Sequence, residues 1–178
     1  MRKKAPNKPL PIVVGSLVLP LASLAGAQMD SAHGGPVMNY HRVNDRLVTG
    51  GHLLDGGAAT LKEQGVSVVI NLRDDSPTDE QQQFAEQGIE WFNIPVAWRN
   101  PKHEDFRRFR EIMSEHQDDH VLVQCAVNYR ASAMTYLYQV TVEGVPADTA
   151  AVDMNAIWDP NDNDTWRQYI DDVKASGQ

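Results

Sequence analysis

The sequence predicts one α/β domain built on a mainly parallel central sheet with helices on both faces. Three observations lead there. Short β-branched apolar runs alternate with stretches of helical periodicity, three of those helical stretches close on a glycine, and the stretch after the third run is apolar almost all round. A helix of that last kind has no solvent face, so it must lie between a sheet and further helices.

Taken in order, residues 41–49 hold two extended stretches around the turn-forming pair Asn44-Asp45, which predicts a small hairpin. Residues 58–64 read as a helix closed by Gly65, feeding a buried strand over 66–72. Thr78 and Gln81 have capping-box spacing ahead of a helix that ends at Gly88, and a second strand follows over 89–96. Asn100 reads as a cap and Pro101 as a first-turn residue of a helix that buries Phe106, Phe109, Ile112 and Met113. A third strand over 120–124 leads into the apolar helix 130–142, which Gly144 and Pro146 end. Two last helices, 146–158 and 164–175, flank the turn-rich segment 159–162. In such a sheet, sites form beyond the carboxyl ends of the strands, where the loops 71–77, 95–101 and 125–130 should converge.

The N-terminus has a different character. Arg2, Lys3, Lys4 and Lys8 precede an apolar stretch over 11–24 that ends in Ala25-Gly26-Ala27. A basic start, an apolar segment too short to span a bilayer and an A-x-A-like site predict a signal peptide over residues 1–27, cleaved to give an exported periplasmic or secreted protein without a membrane anchor. Residues 28–39 then read as a flexible lead-in and 40–178 as the domain. The 178-residue chain carries a net charge of −8. Losing four cations and no acid with the leader takes it to −12, which argues against a nucleic-acid partner. Any anion site must then rest on a local positive pocket.

There is one cysteine, Cys125, so no internal disulfide can form, and six scattered histidines offer no metal-ligand spacing. Neither metal nor cofactor is expected. Cys125 closes the third strand, and Arg130 stands near the start of the buried helix. Between them lie Ala126, Val127, Asn128 and Tyr129. A short strand-to-helix loop can turn its N–H groups inward beside the positive helix end, which makes an oxyanion cradle, and Arg130 could grip two oxygens at once. The same field favours the Cys125 thiolate, and Ser132 could donate to the sulfur. Asn128 tolerates the left-handed conformation that the tightest part of such a loop needs. Against this stands the ordinary reading of a strand-end cysteine as buried filler.

Thr49-Gly50-Gly51, Val69-Ile70-Asn71-Leu72-Arg73, Ile94-Pro95-Val96, the run from Cys125 to Ser132, and Ile157-Trp158-Asp159-Pro160-Asn161 with Trp166 occur in an order that resembles the protein tyrosine phosphatase superfamily. The likeness is to small bacterial domains related to the dual-specificity phosphatases and spans about residues 40 to 170. It implies a phosphatase acting on a phosphoprotein or a small phosphorylated molecule. Cys125 would attack phosphorus, Arg130 and the loop amides would bind its oxygens, Ser132 would assist turnover, and no cofactor is needed. Three positions depart from the family's pattern. Ala97 stands where an acid is usual, Gln124 replaces a histidine, and the loop is one residue shorter than Cys-x5-Arg. The general acid is therefore open, with Asp105 and its neighbour Glu104 as candidates against a plain helix-start role. Arg73 is either a phosphate ligand or the ion-pair partner of Asp74 and Asp75. The short loop also fits a rhodanese-like sulfurtransferase, and the missing acid fits a non-catalytic anion-binding module. Oligomeric state is not legible.

Overall fold

The computed structural model describes Met1 and residues 35–177; residues 2–27 of the expected leader and 28–34 of the expected lead-in lie outside the described residues. Five strands form one sheet in the order β1-β2-β5-β3-β4. They are β1 (His41–Arg42), β2 (Leu47–Gly50), β3 (Val68–Asn71), β4 (Glu90–Asn93) and β5 (Val121–Gln124). β1 runs antiparallel to β2 across the hairpin, and the β2–β5, β5–β3 and β3–β4 pairs are parallel. The hairpin turns at Asn44, whose side-chain oxygen accepts from the N–H groups of Arg46 and Leu47.

The side-chain period of two divides the strands between two cores. Val68, Ile70, Val121 and Val123 face one core, shared with α3 (His103–Glu115), α4 (Tyr129–Thr141), α5 (Ala147–Asn155) and α6 (Asp164–Ala175). Val48, Val69 and Leu122 face the other, beneath α1 (Gly57–Glu63) and α2 (Thr78–Glu86). Helices therefore cover both faces, as the alternation of elements predicts. Ten consecutive residues of α4, Arg130 to Gln139, are buried, which explains its lack of a polar face.

Three local expectations are corrected. Thr78 is the first residue inside α2, and Pro77 occupies the cap position without a side-chain bond, so the Thr78–Gln81 pair is not a capping box. Asn100 and Pro101 precede α3 without capping it; the helix opens at Lys102, whose N–H donates to Asp105 Oδ2 at 2.8 Å. The described end of the lead-in is also tied down. Val37 is buried and bridges Leu53, and the Met38 and His52 backbones exchange hydrogen bonds with their neighbours across the same pairing.

Candidate active site

Three of the parallel strands end in an amide residue at the same level: Gln124, Asn71 and Asn93 stand in register across β5, β3 and β4. Asn71 donates to Asn93 Oδ1 at 2.6 Å, and Asn93 donates to Ser76 Oγ at 2.8 Å. Gln124 donates to Glu80 Oε2 at 2.7 Å, and Glu80 Oε1 accepts from Arg73 at 2.8 Å. Above this polar row the chain leaves β5 at Cys125, whose N–H still bonds to Gly50 O at 3.1 Å and whose side chain is enclosed.

The loop that follows is held from outside. Ala126 O accepts from the backbone N–H of His52 at 3.0 Å, with His52 Nδ1 also 3.1 Å away, and Val127 O accepts from Asn39 Nδ2 at 3.1 Å. Asn128 takes the left-handed conformation, φ 71°, and its side-chain amide donates to Asn39 O at 2.7 Å and Thr49 Oγ1 at 3.0 Å. With two carbonyls drawn outward and no side chain capping α4, the first-turn amides of the helix remain available to an anion. Gly51 makes this approach possible: a Cβ there would stand 2.7 Å from Ala126 O. Asn39, Thr49 and His52 were not recognisable as loop anchors from sequence, since each acts across some 75 to 90 residues of chain.

Arg130 is where the three converging loops meet. Its guanidinium is nearly enclosed, with Nη1 donating to Val96 O at 2.6 Å and to Asp74 Oδ1 at 3.2 Å. Nε and Nη2 make no hydrogen bond among the described residues, which leaves a two-donor edge of the kind that grips an oxyanion bidentately. Ser132 is placed differently from the expectation that it serves the sulfur. Its hydroxyl donates to Tyr129 O and accepts from Trp158 Nε1, both at 3.1 Å. Trp158 stacks on Tyr129 with ring centroids 4.9 Å apart, and Trp98 leans on both, so these three half-buried rings make an aromatic wall beside the loop. Trp166 backs the wall and donates to Trp98 O at 3.0 Å.

The remaining candidates separate. Arg73 takes the ion-pair role: it forks onto Asp75 at 2.8 and 2.5 Å and reaches Glu80, so all its forward donors are engaged by carboxylates. The Asp75 bond raises the guanidinium's proton affinity and in turn holds the Asp75 carboxyl below its usual range. Asp105 takes the helix-start role, and burial pushes its carboxyl above the usual aspartate range. Glu104 is exposed and paired with Arg107. Among the described residues no group of three or more His, Cys, Asp or Glu is arranged to hold a metal ion. A cavity of about 350 Å³ lies at the other end of the sheet, lined by Arg46, Met113, His116 and Glu143, away from the cysteine loop.

A family model described as "DSP-PTPase phosphatase fused to NAD+ Kinase" matches residues 29–168. The chain belongs to this family of tyrosine and dual-specificity type phosphatases. It is thus a phosphatase, a phosphoric monoester hydrolase, on a tyrosine-phosphatase-like fold. A crystal structure titled "Putative phosphatase (DUF442)" from Shewanella putrefaciens CN-32 is 34% identical, with a TM-score of 0.72, over 79% of this chain and 91% of that one. P. aeruginosa TpbA in complex with pTyr shares the fold at 16% identity and a TM-score of 0.64, over 81% and 93% of the two chains. The core catalytic domain of the PP-IP phosphatase SIW14 from S. cerevisiae does so at 13% identity and 0.66, over 76% and 85%. No curated protein matches the chain.

The loop anchoring predicts that Gly51→Ala lowers the phosphatase's stability by about 1–3 kcal/mol, the range for overpacking, and weakens phosphate binding more than a remote substitution of equal cost. Chemical denaturation and phosphate-induced thermal shifts, measured side by side, check this.

Proposed function

We propose that this phosphatase works through a cysteinyl-phosphate intermediate, with Cys125 as nucleophile and Arg130 and the loop amides as the oxyanion cradle. The observation that carries the reading is Arg130 itself. A buried guanidinium anchored by one nitrogen, with its other edge unengaged at the start of an uncapped helix, fits a tetrahedral dianion and has little structural work of its own. In this reading the amides of Ala126, Val127, Asn128 and Tyr129 line the cradle. Ser132 acts by fixing the Tyr129 carbonyl and Trp158 until the sulfur carries phosphate. The substrate is a phosphate monoester on a protein or small molecule. Arg73 orders the neighbouring acidic loop and Asp105 the start of α3. The polar row below the cysteine, in which Gln124 bonds to Glu80, serves the phosphatase reading better than a sulfurtransferase, because it ties the nucleophile's strand to the acidic loop that borders Arg130.

Purified protein should hydrolyse an aryl phosphate with a good leaving group, and Cys125→Ser should abolish turnover while phosphate still raises the melting temperature. Arg130→Ala should remove most of that shift, because a ligand stabilises only as far as it binds the folded state. Thiocyanate formation from thiosulfate and cyanide, or full activity of Cys125→Ser, would count against the proposal. A phosphate shift without turnover would favour the anion-binding module.

We also propose export, on the strength of the basic and apolar leader over residues 1–27. Mass spectrometry of protein recovered from outside the inner membrane should find Gln28 as its first residue; a retained Met1 would contradict this.

A further inference from the structure

The cysteine mechanism requires a proton for the leaving oxygen, and the position after Ile94-Pro95-Val96 holds Ala97. The carboxylates in and beside the site have distinct engagements. Asp75 is forked by Arg73, Glu80 lies between Arg73 and Gln124, Asp105 accepts from the Lys102 N–H, and Glu104 pairs with Arg107. Asp74 differs from all of them. It is the one carboxylate among the described residues in contact with Arg130, Oδ1 to Nη1 at 3.2 Å, and its side chain is 56% exposed. Its direction has a structural cause: Arg73 and Asp75 on either side of it are locked to each other and, through Glu80, to Gln124 at the foot of the cysteine loop.

Resting on the cysteinyl-phosphate reading, we propose that Asp74 is the catalytic residue that protonates the leaving oxygen. A phosphate gripped by the free Nε–Nη2 edge of Arg130 sits next to the nitrogen that Asp74 already touches, so the carboxyl lies beside the phosphoryl group and open to solvent. The arriving dianion competes with Asp74 for the guanidinium and so releases the carboxyl toward the leaving oxygen. In the first step the Cys125 S–P bond forms as the P–O bond to the leaving group breaks, and the Asp74 proton goes to that oxygen. In the second step water oxygen bonds to phosphorus as the S–P bond breaks. Asp74 takes the water's proton, and the electron pair of the S–P bond returns to sulfur as thiolate.

The test is the dependence of kcat/KM on the leaving group, which reports the first step and not the shared hydrolysis of the cysteinyl-phosphate. With phenyl phosphate or an alkyl phosphate, whose leaving oxygens need a proton, Asp74→Asn should lose about 10²-fold or more. With an aryl phosphate bearing a strongly acidic phenol the loss should stay below about tenfold. Asp105→Asn should leave the ratio of the two substrates unchanged, and the melting temperature of Asp74→Asn should match the parent's. An equal loss on both substrates, or a shift confined to KM, would make Asp74 a positioning partner of Arg130 and overturn the proposal, as would unchanged activity. A leaving-group effect in Asp105→Asn instead would transfer the role to that residue. An inactive parent chain, or an active Cys125→Ser, defeats the underlying mechanism; an active, Cys125-dependent parent with an indifferent Asp74→Asn defeats this inference alone.

Discussion

The site depends on the outward hold on the loop between Cys125 and Arg130. Two carbonyls and one asparagine amide of that loop are bound by Asn39, Thr49 and His52, all from the N-terminal side of the sheet. A five-bond reversal from strand to helix has few conformations, and fixing its carbonyls on one side leaves the amides to the other. The left-handed Asn128 is the point at which the turn would otherwise relax, and its two side-chain bonds hold it there.

The electrostatics are local. The chain is acidic overall, so long-range attraction cannot bring a phosphate to the surface. What remains is a short-range trap: an uncapped helix end and one enclosed guanidinium, with the acidic loop bordering it neutralised in part by Arg73. This arrangement separates the two arginines by the partners they keep. Arg73 is satisfied by carboxylates on every forward donor, whereas Arg130 keeps its bidentate edge.

Much of the fold was legible because hydrophobic period and glycine stops are local signals. The strand ending at Gln124, the helix of residues 164–175 and the hairpin at Asn44 emerge where the pattern puts them, and the strand expected over 66–72 forms in its central part, Val68–Asn71. Helix starts were less legible. Asn100-Pro101 carries a strong local preference, yet the chain holds the Lys102 carbonyl against Tyr169 and caps α3 through Asp105 instead. In the site, the motif from Cys125 to Arg130 was visible as a string, and so was the convergence of three loops that meet at Arg130. The anchors Asn39 and His52, the engagement of Arg73 by Glu80 and the contact of Asp74 with Arg130 were not. Each is a side-chain polar contact with no sequence period to reveal it, and all but the Arg73–Glu80 pair span more than fifty residues.

The proposed mechanism requires the anchored loop and Arg130 to hold an oxyanion over the Cys125 sulfur. Alkylation of Cys125 by iodoacetate, followed by mass spectrometry with and without inorganic phosphate, measures this most directly. Phosphate should slow labelling several-fold in the parent protein and not in Arg130→Ala. A labelling rate indifferent to phosphate in the folded parent would contradict it.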